Sequence, residues 1–168
     1  VVNEPLIPEG TQLKGSPVKK TVENKEYGAT VWTLANGTQI VVKPTKFKAD
    51  EVRMNAQSKG GLSILPDAEY YMGEMMPAVS SMSGVGKFSA TELRKQLSGK
   101  SATVQPSVGE YASAVNASCS PKDIETMLQL VYLNFTQPRF DRNDYDNLMK
   151  MLRTQLELSL IHISEPTR

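Results

Sequence analysis

Apolar residues recur every three or four positions in three stretches of the chain, and each stretch is predicted to form an amphipathic helix. The first helix covers residues 67–82, and we expect the Asp67 carboxylate to cap it. Pro77 lies inside this helix and is expected to kink or split it. We interpret Met72, Met75 and Met76 as core packing rather than as a soft-metal or adaptable binding surface, because methionine fills irregular gaps. The apolar stripe of this helix consists of Tyr71, Met75, Val79 and Met82.

Two further amphipathic helices are predicted later in the chain. Ser120, Pro121 and Asp123 combine a cap, a proline at the first helical position and an acid at the third, which is a strong start signal. This helix covers residues 123–134, and a third helix runs from Asp141 to about Leu158. The predicted buried residues are Ile124, Met127, Leu128, Val131 and Tyr132 in the second helix, and Tyr145, Leu148, Met149, Leu152 and Leu156 in the third.

Two short signals lie between the first helix and the next strand. Ser89 and Glu92 have the spacing of a capping box, which opens a short helix that Gly99 ends. Gly84 and Gly86 flank a valine, and we interpret them as a turn that requires positive φ rather than as a phosphate loop.

Alternating patterns predict the strands. Residues 29–43 form a β-hairpin in which Asn36 and Gly37 supply the positive φ angles of a type I′ turn. The other predicted strands cover residues 51–58, 102–105 and 111–117, with a turn over residues 106–110.

These elements predict an α+β fold, a mostly antiparallel sheet with helices packed on one face. Residues 1–26 are rich in Pro, Gly, Lys and Glu without a helical or strand period, so they are predicted to be a linker or hinge arm. Residues 27–158 are predicted to form a single domain. The composition changes abruptly at residues 159–168 (SLIHISEPTR), which we interpret as a non-native tail.

Composition and charge narrow the classes of function. The chain has 168 residues and a net charge of +1, so no charge field favours nucleic acid or an anionic membrane. Its single cysteine, Cys119, cannot form an internal disulfide. No apolar run approaches the roughly 20 residues of a membrane span, and no signal peptide is visible.

The chain lacks the residues for common catalytic sites. Its one histidine, His162, lies in the suspected tail, so neither a histidine-dependent triad nor a typical zinc site is available. Cys119 has no histidine partner and is interpreted as a buried structural thiol. The acidic residues lie mainly at helix starts and on polar faces, although counting alone does not exclude a pair of catalytic carboxylates. We therefore predict no catalytic, metal-binding or cofactor-binding residue in this chain.

Several segments resemble one known family. The opening WTLANGTQIVV is similar to the first hairpin of domains in the insulinase/pitrilysin-like zinc metallopeptidases, whose fold is shared with mitochondrial processing peptidase. The block SGVGKFS with LSGK, followed by DIETMLQLVYLNFTQPRFD, resembles the non-catalytic half of the long two-half members. The similarity extends over about residues 29–158.

The chain departs from the family at its catalytic motif. Active members carry H-x-x-E-H on the first long helix, where this chain reads EYYMGEMM with Glu69 and Glu74 as its acids. The family's third zinc ligand is a glutamate on a later helix, and the matching region here, residues 145–152, has only Asp146. The resemblance thus implies the degenerate domain that opens the second half of such a peptidase, with residues 1–26 in the hinge.

The resemblance also implies a role. The two halves of such a protease form a clamshell, in which zinc belongs to the catalytic half and the second half completes a closed chamber around the peptide. The expected partners are the catalytic half of the same polypeptide and the peptide substrate, without nucleic acid or a membrane span. The alternative is a stand-alone peptide-binding or partner-subunit module. A periplasmic or otherwise exported location is an expectation from the family alone.

Overall fold

The computed structural model describes residues 4–164 of the chain, with side chains over residues 4–159. The described chain forms two compact units, one of which is Ile7–Glu51 and the other of which contains the residues up to Leu6 and from Val52 onward. The predicted boundary after residue 26 does not coincide with this division. How the two units correspond to domains of a complete protein stays a prediction.

The smaller unit is a three-stranded antiparallel sheet with the order β1-β2-β3. Its strands are β1 (Val18–Asn24), β2 (Ala29–Leu34) and β3 (Gln39–Val42). The absence of regular structure predicted for residues 1–26 is therefore wrong for the residues of β1. This strand lies at the edge of the sheet with nearly all its side chains exposed, so its sequence lacks the apolar alternation of a half-buried strand.

The hairpin predicted over residues 29–43 is confirmed, but its turn type is wrong. Gly37 has a φ of +87°, and only glycines among the described residues have positive φ, so Asn36 cannot begin a type I′ turn. The Gly37 N–H donates to the Leu34 carbonyl at 3.0 Å, and the Leu34 N–H donates to the Thr38 carbonyl at 2.9 Å. The connection is a type I turn followed by a glycine bulge. The Asn36 side chain instead accepts from the Thr38 N–H at 3.0 Å.

The larger unit contains a second antiparallel sheet with the order β4-β6-β5. Its strands are β4 (Val52–Lys59), β5 (Ala102–Val108) and β6 (Ala112–Cys119). The predicted turn over residues 106–110 is wrong at its start, because Pro106 lies within β5. An edge strand tolerates a proline whose missing N–H would point away from the sheet. Alternate residues of the central strand are buried, namely Val115, Ala117 and Cys119.

The described residues of the larger unit form four α-helices. They are α1 (Tyr70–Ser83), α2 (Ala90–Gln96), α3 (Ile124–Thr136) and α4 (Arg142–Ser164). The α1 helix contacts β5, α3 contacts both β5 and β6, and α4 packs on α1. This arrangement confirms the predicted α+β class with helices against a mostly antiparallel sheet. Among the described helices, none combines the length and apolarity needed to cross a bilayer.

The helix starts agree with the predictions in part. Ser89 and Glu92 form the predicted capping box, since the Ser89 N–H donates to Glu92 Oε2 at 2.8 Å and the Glu92 N–H donates to Ser89 Oγ at 3.4 Å. Asp67, however, makes no side-chain cap bond, because a short 3-10 turn over Asp67–Glu69 precedes α1 and places Asp67 inside the helical segment. The α1 helix also continues through Pro77 without splitting.

The predicted buried face of α3 is right for two of its five residues. Met127 and Val131 are buried against the sheet, but Ile124, Leu128 and Tyr132 are exposed. The sequence period identifies the apolar positions of a helix but does not show which of them contact the sheet. The α3 helix has more apolar positions than the sheet covers.

The last helix is longer than predicted. It continues through Ser164, past the expected end near residue 158, and so includes part of the suspected tail with His162. The final four residues of that tail lie outside the described residues. The interpretation of residues 159–168 as non-native stays a prediction.

Candidate functional site

An apolar groove of about 490 Å³ lies between α1 and α4. It is lined almost entirely by methionine, aromatic and aliphatic side chains, with one arginine. Its volume falls within the range of clefts that bind small molecules or peptide side chains, roughly 300–1,000 Å³. The lining residues are Tyr71, Met72, Met75, Met76, Val79, Phe140, Arg142, Tyr145, Met149 and Leu152.

Close packing on the opposite side of α1 positions the helix that forms one wall. A Cβ atom on Gly73 would lie 2.3 Å from Leu65 Cδ1 and 2.9 Å from Leu62 Cδ2, so a larger residue at this position would require both leucine side chains to move. Leu62 is itself buried in the 3-10 turn Gly61–Ile64. The loop before α1 therefore holds the helix by contacts that leave its other face free to form the groove.

Aromatic and charged side chains in and just before α4 line the groove and contact one another. The rings of Phe140 and Tyr145 lie with their centroids 6.0 Å apart. The Arg142 guanidinium lies 5.7 Å from the centre of the Tyr145 ring, and its Nε donates to Asp146 Oδ1 at 3.1 Å. The one cation of the lining thus has a carboxylate partner on the same helix. The groove therefore presents a mostly apolar surface with one exposed ion pair at its edge.

Several groove side chains remain open to solvent, which corrects the prediction of core packing for the methionines. Met72 is 62% exposed and Met76 is 48% exposed, while Tyr71 is 76% exposed. Of the predicted stripe, Val79 is buried, whereas Tyr71 and Met82 are exposed. Met72 and Met76 line the groove together with Met75. Flexible, polarizable methionines adapt to different apolar partners, so this surface suits binding better than a rigid core would.

The groove does not have the ligands of a zinc site. Glu69 and Glu74, the acids of the segment EYYMGEMM, are exposed and do not line the groove. Asp146 is hydrogen-bonded to Arg142. Within the part of the chain that the structure describes, no three His, Cys, Asp or Glu side chains are grouped so that they could hold a metal ion. Tetrahedral zinc with only carboxylates and no imidazole or thiolate is not the donor set that this metal selects.

The thiol lies elsewhere in the fold. Cys119 lies at the end of β6 and is 4% exposed. Burial is the main cause that raises the pKa of its thiol, and the negative charge of Asp123 raises this pKa further. This confirms the expected buried thiol. A protonated, enclosed sulfur is a poor nucleophile.

Two cross-strand side-chain pairs lie on the exposed face of the β4-β6-β5 sheet. The Asn55 side chain donates to the Asn116 side chain at 2.7 Å across β4 and β6, and the hydroxyls of Thr103 and Ser118 are 2.9 Å apart across β5 and β6. These cross-strand pairs satisfy each other. The groove is therefore the stronger candidate for a binding site. Sequence reasoning missed it, although the methionine cluster in residues 72–76 was a signal for an adaptable surface.

Comparisons with known proteins identify relatives of this chain. No family model matches it. A zinc protease PQQL-like protein of Arabidopsis thaliana is 31% identical over 115 residues, which are 68% of this chain and 10% of that protein. The crystal structure of the periplasmic protease PqqL from Escherichia coli has a TM-score of 0.74 at 18% identity, over 90% of this chain and 17% of that chain.

Two more solved structures share the fold. A structure of the ferredoxin protease FusC in complex with Arabidopsis ferredoxin has a TM-score of 0.73 at 16% identity and covers 90% of this chain and 17% of that chain. A protease from Helicobacter pylori has a TM-score of 0.59 at 14% identity, over 76% of this chain and 30% of that chain. This chain therefore spans between 10% and 30% of the length of these proteins.

The chain belongs to the insulinase/pitrilysin-like zinc metallopeptidase family, and it corresponds to a part of such a protease. The fold, the segment similarity and the relatives agree with the resemblance that the sequence predicted.

Proposed function

We propose that this chain is a non-catalytic domain of a zinc metallopeptidase that helps enclose a peptide substrate in a closed chamber and packs against the catalytic half. The observation that carries the proposal is the groove between α1 and α4. Resemblance places the family's metal-binding motif on the helix that corresponds to α1. Here the same helix presents Met72, Met75 and Met76 to the groove.

Zinc, in this proposal, belongs to the catalytic half of the parent protease. The residues near the groove do not form a zinc ligand set, so no chemical step is assigned to them. The groove residues instead bind the peptide and orient it. Water exclusion and correct placement of the scissile bond are large contributions to catalysis, and a chamber wall supplies both without a ligand or a nucleophile.

The groove defines the chemistry that this wall recognises. A lining of methionine and aromatic side chains buries an apolar peptide side chain, and the flexibility of methionine lets side chains of different shape bind. Arg142 is paired with Asp146, so the polar part of the lining is a neutral ion pair rather than an excess of positive charge that would select an acidic residue. We therefore propose apolar anchoring of varied peptide sequences rather than recognition of one charged motif.

The names of two neighbours support further parts of the proposal. The FusC structure contains ferredoxin, a protein, so we propose that a polypeptide rather than a small molecule is enclosed. The Escherichia coli neighbour is described as periplasmic, and we propose an exported location for the parent protease.

The alternative is a separate peptide-binding or partner-subunit module. Both readings use the groove, and they differ in whether the chain completes a catalytic chamber. Restoration of cleavage when the chain is mixed with the zinc-bearing half supports the enclosing domain. Peptide binding without any effect on cleavage supports the separate module.

The methyl groups of the methionines test the groove directly. We would label them with ¹³C and titrate the chain with a flexible peptide that contains leucine and phenylalanine. We expect the signals of Met72, Met76 and Met149 to shift, because they line the groove. Met127 lies on the buried face of α3 and is the internal control, whose signal should not change. Shifts confined to methionines outside the groove, or no shifts at millimolar peptide, would refute the proposal.

A further inference from the structure

The α3 helix carries a second apolar stripe on the side that faces solvent. Between 38% and 64% of each side chain in this stripe is exposed. The spacings are four, four and three residues, so the side chains lie along one line of the helix. We call these residues the outer stripe, and they are Ile124, Leu128, Tyr132 and Phe135.

The outer stripe continues the buried face of the same helix. At 100° per residue, the buried face centred on Met127 and Leu130 extends through Val131 directly into the outer stripe. Only a narrow polar strip remains, which consists of Glu125, Gln129 and Thr136. Gln129 Nε2 donates to Glu125 Oε1 at 3.2 Å along this strip. A helix that is apolar around most of its circumference is normally covered on both sides.

We infer that in the parent protease the outer stripe is covered by an amphipathic helix from another part of the same polypeptide. The inference rests on the proposed function, which makes this chain a part of a longer protease. Most of the length of the relatives lies outside the matched region, since this chain covers 17% of the PqqL chain. The stripe is straight and about 16 Å long at 1.5 Å per residue, which suits the ridge of a second helix.

The size of the stripe argues against a second copy as the partner. With about 200 Å² for each fully exposed side chain, the four residues offer roughly 400 Å² of surface. A stable interface between separate chains buries about 800 Å² on each partner. A segment of the same polypeptide needs less area, because tethering removes most of the entropic cost of association.

Thiol reactivity in the complete parent protease tests the inference. Leu128→Cys and Phe135→Cys place a thiol in the outer stripe, and Glu125→Cys places one at an exposed position of the adjacent polar strip as the matched control. Native Cys119 is buried, and labelling of the unsubstituted parent measures the background from all native cysteines. Each thiol would be labelled with a maleimide, and its rate would be compared with the rate in denaturant. Circular dichroism would establish that each variant is folded.

We expect both stripe thiols to react at least tenfold more slowly than the Glu125→Cys thiol in the native parent. Equal rates for all three positions would overturn the inference. If the stripe thiols of the isolated chain became protected as its concentration rises, the covering partner would be a second copy of the chain, and the inference of a covering helix would be overturned. The readout is independent of cleavage, so a parent that protects the stripe while this chain contributes nothing to its activity would refute the proposed function alone.

Discussion

The side-chain oxygen of Ser83 accepts a hydrogen bond from the backbone N–H of Asp141 at 3.0 Å. Ser83 is the last residue of α1 and is 1% exposed, and Asp141 immediately precedes α4. The Asp141 carboxylate in turn accepts from the Asn143 N–H at 2.9 Å in the first turn of α4. One buried hydroxyl therefore connects the two helices that form the walls of the groove.

Replacing this hydroxyl should weaken both the fold and the groove. We expect Ser83→Ala to lower the free energy of unfolding by about 1–2 kcal/mol, because the part-buried Asp141 amide loses its partner. Ser81→Ala, at an exposed position of the same helix, is the control and should change stability by less than about 0.5 kcal/mol. Urea unfolding followed by circular dichroism measures both values, and equal effects of the two substitutions would contradict the assigned role.

Gly84 is constrained both by its positive φ and by close contact with neighbouring backbone atoms. Its φ is +90°, and a Cβ atom there would lie 2.2 Å from the Phe88 carbonyl oxygen. Gly99 has a similar φ of +79° with nothing within 4 Å, so it is a matched control. We expect Gly99→Ala to cost about 1–2 kcal/mol from the left-handed backbone alone.

Gly84→Ala should cost clearly more than this, because the backbone around Phe88 must also move. Thermal unfolding of the two variants side by side measures the difference. A Gly84→Ala variant as stable as Gly99→Ala would show that the loop relaxes without cost.

The Asp123 carboxylate links the start of α3 to the start of β5. It accepts from the Ser120 hydroxyl at 2.6 Å and from the Ser101 N–H at 2.8 Å, and these bonds hold its pKa below the ordinary value. A pKa lowered by folding stabilises the folded state above the unfolded pKa of about 3.9, and this contribution is lost as the pH falls through the folded pKa.

We therefore expect Asp123→Asn to destabilise the chain at pH 7 and to have a progressively smaller effect as the pH falls below about 4. Ser120→Ala should raise the pKa of Asp123 toward its ordinary value, which an NMR titration would show. Glu125→Gln, in the first turn of α3, is the control for a general loss of negative charge. A destabilisation that does not vary with pH would contradict the role of the ionised carboxylate.

Met76 tests whether the groove binds peptide. We expect Met76→Ser to weaken binding of an apolar peptide by about tenfold, which corresponds to about 1.4 kcal/mol, because a partly exposed apolar contact is lost. Met82→Ser, on the same helix but outside the groove lining, should bind normally. Fluorescence anisotropy with a labelled peptide measures both affinities, and a Met82→Ser variant weakened as much as Met76→Ser would place the binding surface elsewhere.

Local sequence signals predicted those features that depend on neighbouring residues. The capping box at Ser89 and the positive φ of Gly84 and Gly86 were predicted correctly, since each depends on a few adjacent atoms. The turn at Asn36 was predicted as type I′, whereas the Asn36-Gly37 dipeptide forms a type I turn followed by a glycine bulge.

Features that depend on tertiary packing were not available from the sequence. The exposure of Met72 and Met76 follows from the position of α4, and the exposure of Leu128 follows from the limited width of the sheet under α3. An apolar period identifies a helix and its stripe but does not state how many neighbours cover it. The edge strand β1 shows the opposite case, because pairing with β2 forms a strand that has almost no apolar signal.

Metal content and cleavage, measured together, test the central claim most directly. Purified chain would be analysed for bound zinc and for cleavage of a quenched peptide library, first alone and then mixed with the zinc-bearing half of the parent protease. We predict no stoichiometric zinc and no cleavage by the chain alone, with cleavage restored on mixing. Stoichiometric zinc with chelator-sensitive cleavage by the isolated chain would contradict the account.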